Sequence, residues 1–402
     1  MKIRSITIFA DAPVPSTRAW LLPLGAFAQA ARRAYADAGF EVQTTRLALN
    51  VFPSLEGGEA QALVDFAVAV EALARDCGFE YVALGPADAG MLPHLPAILA
   101  ATQSVFATAH LVNPATGALD GTVTRMAARV IREAASIENG FGNLRFAALA
   151  NVPPGVPFFP AAYHDGGAPT FAIATEAADL AVTVGRTAND LAEAHHRLRA
   201  AVESEALRIV AVAERLMATH SLRFGGIDFS LAPFPTPACS IGAALEALTG
   251  QPLGAAGTLA AAATFADALG QAQFPHVGFC GLMLPVLEDA VLAQRAAEGR
   301  LRVGELLQWS AVCGTGLDTV PLPGDVSESA LTRLLFDVAA LAMRLHKPLT
   351  ARLMPLPGKV AGDAVHFDFA YFADGGVLPL EGAAGESALD RTDALRLHAR
   401  YH

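Results

Sequence analysis

Charged side chains are scarce in this chain. Asp, Glu, Lys and Arg make up 17% of the 402 residues, and the acidic excess leaves a formal net charge of −11. Such a surface repels nucleic-acid phosphates and anionic lipid headgroups, so no nucleic acid and no membrane is expected as a partner. Cysteine is also sparse: Cys77, Cys239, Cys280 and Cys313 are scattered, with no CxxC pair. That spacing supports neither a disulfide framework nor a zinc ribbon, and reduced thiols are the default. The chain has no GxxxxGK(S/T), no GxGxxG after its first strand, no HExxH and no GxSxG. Nucleotide binding, zinc-protease chemistry and serine-elbow hydrolysis therefore have no motif behind them. The N-terminus, Met1-Lys-Ile-Arg-Ser-Ile-Thr-Ile-Phe, alternates apolar and polar residues like a first strand and lacks the apolar stretch of a signal peptide. A cytoplasmic location is the expectation.

Apolar residues are abundant, at 53%, with a mean hydropathy of +0.39. The uncharged run Ala247–Ala266 has about the length of a bilayer span. It also contains Gln251, Pro252, Gly254 and Gly257 and is largely alanine, so it reads as buried helix and turn. Along the first third, strand and helix patterns alternate with short turns. Strands are read at 4–10, 41–49, 81–86 and 105–112, and helices at 20–38, 59–75, 96–101 and 122–137. This alternation favours a parallel α/β sheet covered on both sides, or a barrel. Thr175 to about Thr219 reads as helical with a break near Gly185. Ser240 is placed to cap a helix over 241–249 that Gly250 ends. Further helices are read at 257–271 and 329–347, and strands at 350–355 and 364–372. No linker divides the chain, and one domain over 1–402 is expected.

Polar residues collect where apolar strands run into Gly or Pro turns. Four units stand out: His164 with Asp165, Asp228 with Ser230, Glu288 with Asp289, and Cys313 with Asp318 and Asp325. The last lies in an abrupt transition, from an apolar run through Cys313-Gly-Thr-Gly to Asp318 and a Pro-Leu-Pro-Gly exit. If these loops share one cavity, the carboxylates and imidazole have the means for acid–base work or for holding a divalent cation, and Cys313 is a candidate nucleophile facing the interior. The amides of Gly225, Gly226, Gly314 and Gly316 can cradle an anion, with Arg145 and Tyr163 as further binding residues. Each acid has a plainer alternative as a cap or ion-pair partner, and Cys313 as a packed thiol.

Six segments carry a resemblance to a family. They are Gly39-Phe-Glu-Val-Gln-Thr-Thr-Arg-Leu, Asn143-Leu-Arg-Phe-Ala-Ala-Leu-Ala, Pro157-Phe-Phe-Pro-Ala-Ala-Tyr-His, Gly225-Gly-Ile-Asp-Phe-Ser-Leu-Ala-Pro, Gly278-Phe-Cys-Gly-Leu-Met-Leu-Pro-Val-Leu-Glu-Asp and Val312-Cys-Gly-Thr-Gly-Leu-Asp-Thr-Val-Pro-Leu-Pro-Gly-Asp. With these the chain resembles an uncharacterised conserved bacterial and archaeal family that shares the pyruvate formate-lyase-like fold. The resemblance implies a ten-stranded α/β barrel of two parallel halves set antiparallel, and no established reaction. Radical enzymes of that fold use a C-terminal glycine loop and a finger-loop cysteine. Here Pro357-Gly-Lys359-Val-Ala-Gly362-Asp363 departs from their pattern at Lys359 and Asp363, and Cys313 has no cysteine beside it, so glycyl-radical chemistry does not carry over. The expectation is an enzyme, lyase- or hydrolase-like, acting on a small polar or anionic metabolite by acid–base or metal-assisted chemistry. The alternative is a non-catalytic binder or sensor of such a metabolite. A homodimer is an open possibility.

Overall fold

The alternating N-terminus forms the strand around which the sheet is arranged. In the computed structural model, which describes residues 1–13, 16–50, 60–380 and 387–399, β1 (Lys2–Ala10) is followed by α1 (Arg18–Asp37), β2 (Val42–Leu49), α2 (Ala60–Asp76), β3 (Tyr81–Pro86), α3 (Leu95–Ala101) and β4 (Val105–His110). A two-residue strand, β5 (Leu119–Asp120), leads into α4 (Gly121–Ala134) and β6 (Phe146–Ala150). Then come β7 (Thr170–Glu176), α5 (Ala178–Thr187), α6 (Leu191–Thr219), β8 (Arg223–Asp228), α7 (Ile241–Thr249) and α8 (Thr258–Gln271). The last third holds α9 (Ala290–Ala297), α10 (Val303–Ser310), β9 (Gly316–Pro323), α11 (Glu328–Leu345) and β10 (Leu349–Leu356).

Local chemistry explains many of these boundaries. Thr17 caps α1, Asp120 caps α4, and Ser240 caps α7 by accepting the Ala243 amide proton at 2.9 Å. Gly250, in the left-handed region, ends α7 as its position implies. The helical reading over 175–219 needs correction. Thr175 belongs to β7, an alanine-rich strand whose interior is wholly buried, and the break falls at 188–190, where Asp190 caps α6. The expected final strand at 364–372 is reduced to Ala364–Val365, paired with Gly375–Gly376. The run Ala247–Ala266 forms the end of α7, a turn and most of α8. Among the described residues no helix is long and apolar enough to cross a membrane.

Among the described residues nine strands form one mixed sheet in the order β8-β7-β1-β2-β3-β4-β6-β10-β9. Five central strands, β1, β2, β3, β4 and β6, run parallel. The pairs β7–β8 and β9–β10 flank them in the opposite direction. The two edges, β8 and β9, are linked through one intervening segment. Ile227 and Leu231 donate their amides to Pro275 and Gly281 carbonyls at 2.8 and 3.0 Å on one side, and Val286 donates to the Asp318 carbonyl at 3.0 Å on the other. These are isolated bridges, so the nine-stranded ladder itself does not close. One face of the sheet carries Ile6, Ile8, Leu47, Leu317 and Leu353, which join the main apolar core with the helices. Phe9, Ala48, Ala83 and Phe106 lie on the other face, against Phe159 of the long β6–β7 connection.

Four register shifts interrupt the alternation among the described residues, one of them in β3 between Ala83 and Pro86. Between Ile3 and Ser5, β1 has one residue more than β7 opposite it, and the extra residue is Arg4. Opposite Arg352, β9 has two residues, Asp318 and Thr319, and Thr319 adopts a positive φ of 41°. In β8 the extra residue is Gly225. A bulge re-aims side chains without changing the pattern on either side. The first two turn Arg4 and Asp318 to the inner face while Ile3, Ile6, Leu317 and Val320 keep facing the helices.

Candidate functional site

The inner face ends in a pocket where β1, β2, β3 and β4 begin and β7 finishes. This is also the C-terminal side of β7–β10, where parallel α/β arrangements commonly place ligands. Its polar lining is Arg4, Gln43, Thr44, Arg46, Thr175, Glu288 and Arg352; its aromatic lining is Tyr81, Phe106, Phe158, Phe159, Phe369 and Tyr371. The cavity volume is about 60 Å³.

The charged groups form a chain. Arg352 donates from Nε to Asp318 Oδ1 at 2.5 Å and from Nη2 to Glu288 Oε1 at 2.7 Å. Arg4 pairs with the second Glu288 oxygen, lies 3.4 Å from Glu176 Oε2, and donates to the Pro233 carbonyl at 3.2 Å. Gln43 donates to the same Glu176 oxygen at 2.6 Å. Arg46 stands apart. Its Nε donates to Thr44 Oγ1 at 2.9 Å, and that hydroxyl in turn donates to the Arg4 carbonyl at 2.8 Å. The Arg46 guanidinium lies over the Tyr81 and Phe159 rings, at 5.5 and 5.2 Å from their centroids, and no carboxylate pairs with it among the described residues. Arg46 is nonetheless only 8% exposed.

These surroundings set the charge states. Burial disfavours the Glu288 carboxylate, but Arg4 and Arg352 outweigh it and hold Glu288 below the ordinary glutamate range. Asp318 is pushed the other way by its own burial, with Glu288 adding to the effect against Arg352. Burial likewise raises Glu176. Burial and the neighbouring Arg4 cation lower Arg46 to about 10, so it remains a cation at neutral pH.

Of the residues singled out in the sequence, Glu288 lines the pocket and Asp318 reaches it through Arg352. Asp228 is fully buried and accepts from the Ser230 hydroxyl at 2.5 Å and from the Phe279 and Cys280 amides at 3.0 Å each, which fastens β8 to the segment after α8. Asp289 does the same for two helices, accepting from Ser240 Oγ and Ile241 N at 2.6 Å each and from Val291 N at 2.9 Å. His164 pairs with Asp11 at 2.8 Å and does not line the pocket. Arg145 is buried, and its guanidinium donates to the Leu99 and Thr102 carbonyls at 2.7 and 2.9 Å. Tyr163 donates to the Val152 carbonyl at 3.0 Å and is pushed up to about 12 by burial.

Gly225 and Gly226 serve the backbone: a Cβ at Gly226, whose φ is +134°, would stand 2.7 Å from the Pro275 carbonyl oxygen. Gly314 packs on Gly281, and Gly316 on Thr350 of β10. Cys313 is 2% exposed and belongs to the main apolar core, not to the pocket lining. Its carbonyl accepts from the Lys347 ammonium, a cation that lies far away in sequence. Among the described residues no three His, Cys, Asp or Glu side chains gather as metal ligands. The pocket carboxylates are held by arginine, a set that does not fit a hard cation.

Arg4, Arg46 and Arg352 are the site residues that the sequence reading passed over. Arg46 carried a signal, a cation in a strand whose other residues are all uncharged. Arg4 did not, because the alternation read back from Ile6 and Ile8 puts it on the helix-facing side.

Sheet and pocket together define a mixed α/β protein with a buried arginine–carboxylate pocket. Residues 1–371 match the family described as Uncharacterised ACR (DUF711), and the chain belongs to that family. It is 34% identical over 354 residues to a UPF0210 protein of Pyrobaculum islandicum, an alignment covering 83% of this chain and 78% of the relative. It is 28% identical over 357 residues to a UPF0210 protein of Desulfovibrio desulfuricans, covering 84% and 76%. A UPF0210 protein of Methanococcoides burtonii is 28% identical over 354 residues, covering 82% and 77%.

Proposed function

We propose that this protein binds a small anionic metabolite in the arginine pocket and acts on it by acid–base chemistry, in the manner of a lyase or hydrolase and without a glycyl radical. The observation that carries the reading is Arg46, a buried guanidinium on the cavity wall that makes no ion pair with a carboxylate among the described residues. Withdrawing a cation from water costs several kcal/mol even after relaxation. An uncompensated one gains nothing for stability, whereas it suits a site awaiting an anion. The acid–base part rests on Glu288 and Asp318, which share Arg352 while their surroundings push them in opposite directions.

A second reading, a non-catalytic binder or sensor, is favoured by one detail: both Glu288 oxygens are already engaged by arginines. As to architecture, we read the segment 275–286 as the tenth strand of a barrel like that of pyruvate formate-lyase, in one domain. The support is its hydrogen bonding to both sheet edges.

The test is a thermal-shift titration of the purified protein and its Arg46→Met variant with acetate, phosphate and sulfate. Stabilisation of the native protein alone supports an anion site at Arg46, and equal shifts in both overturn it. Incubating the protein with a metabolite extract and following the mixture by NMR separates the two readings. A consumed metabolite supports the enzyme, and Arg46-dependent binding without consumption supports the binder.

A further inference from the structure

We infer that the ligand of the arginine pocket is a compact monoanion with a planar or branched apolar body, of the class of short aromatic or branched monocarboxylates. The inference rests on Arg46 as the anion anchor and adds what the surrounding walls select. Arg46 Nε is occupied by Thr44, and its guanidinium is flanked by the Tyr81 and Phe159 rings. The outer edge with its two Nη groups is left, and that fork matches the two oxygens of a carboxylate.

A second negative charge is disfavoured by what lies opposite. Glu288 forms part of the lining, with Glu176 and Asp318 behind it on Arg4 and Arg352. Those two arginines are already matched by carboxylates, so among the described residues a dianion meets Arg46 as the one pocket cation without an ion-pair partner. Burying an unmatched charge there is unfavourable.

The remaining walls are apolar, and chiefly rings. Six of the seventeen lining residues are aromatic, in a chain that is 7% aromatic. Phe106 sits at the centre of this wall, edge-on to Tyr81 at 5.2 Å and to Phe159 at 5.3 Å between centroids. Such walls reward a flat or branched hydrocarbon body and give nothing to a second polar head. The size of the cavity is in keeping with this: about 60 Å³ corresponds to about four to six waters, room for a body the size of benzoate.

The probes are benzoate and isobutyrate, compared with acetate, succinate, phosphate and the uncharged benzyl alcohol, measured by calorimetric titration and thermal shift. The expected result is benzoate or isobutyrate binding about tenfold or more tighter than acetate and succinate, with no shift from benzyl alcohol. Arg46→Met should abolish this binding, while Phe106→Ala should lose the preference for benzoate and retain the weak binding of acetate. Should Arg46→Met not fold, Arg46→Lys takes its place; it keeps the charge, loses the fork, and should weaken benzoate about tenfold or more. If acetate, succinate or phosphate binds as tightly as benzoate and depends on Arg46, the class proposed here is wrong and the anion site stands. If none of the anions shows Arg46-dependent binding, both readings fall.

Discussion

Asp318 Oδ1 lies 2.5 Å from Arg352 Nε, both side chains being almost wholly buried, and the bulge at Asp318–Thr319 is what turns the carboxylate toward its partner. Arg352 also pairs with Glu288, whose other oxygen Arg4 takes, so one guanidinium ties two interior acids together.

Removing that guanidinium should therefore cost more than an ordinary core substitution. Arg352→Met leaves Asp318 and part of Glu288 uncompensated, and a loss of roughly 3–5 kcal/mol in urea unfolding is expected. The double variant Arg352→Met with Asp318→Leu should recover much of it, since the stranded charge is then gone. A double variant no more stable than the single one would show that the pair is not the source of the loss.

The two acids should give opposite pH signatures. Asp318 titrates higher in the fold than in the unfolded chain, so its ionisation opposes folding. Relative to Asp318→Asn, the native protein should lose stability as pH rises above about 4, levelling once the folded-state titration is complete. Glu288 titrates lower in the fold. Relative to Glu288→Gln, the native advantage should be full above about 4.3 and disappear as pH falls through the folded-state titration. Denaturation curves at a series of pH values read both, and slopes of the same sign would contradict the assignment.

Arg46→Met should raise the stability of the ligand-free protein, by roughly 1–3 kcal/mol, because it removes an unpaired buried cation and keeps the contacts of its stem. Stability and binding then move in opposite directions in one variant. A drop in melting temperature would mean that its bond to Thr44 and its contacts with the Tyr81 and Phe159 rings outweigh the cost of burying the charge.

Gly278→Ala tests the scaffold. Gly278 has a φ of +78°, and a Cβ there would lie 2.3 Å from Asp228 Oδ2, the carboxylate that fastens β8 to the segment after α8. Destabilisation of roughly 2 kcal/mol or more is expected from the strain and the displaced hydrogen bonds. Gly358→Ala, also at positive φ but in open space, should cost less and serves as the control.

The central strands, the caps at Ser240 and Gly250, and the glycine-bounded turns are legible in the sequence because each depends on neighbours within a few residues. Glu288 and Asp318 are legible as well, as acids at the ends of apolar runs. Arg4 is not, because a bulge depends on the partner strand, and β7 lies far along the chain. β7 itself hides for a related reason: Thr170–Glu176 lacks the usual density of large branched residues and earns its place only by packing between β1 and β8. Cys313 illustrates the converse. Its glycine-rich setting suggests reactivity, but those glycines are there because Gly281 and β10 come too close for side chains.

The position of β1 bears on how the chain is made. It precedes both of its neighbours along the chain and is an inner strand of the sheet, with β2 on one side and β7 on the other. One side is matched as soon as residue 49 emerges. The other must wait for residue 176, about 6–25 s later at ordinary rates of synthesis. Throughout that interval a strand bearing Ile6 and Ile8 presents an open edge, the kind of surface that recruits stray strands. The nascent chain thus has a window in which that edge is unmatched and open to cover by its own early helices.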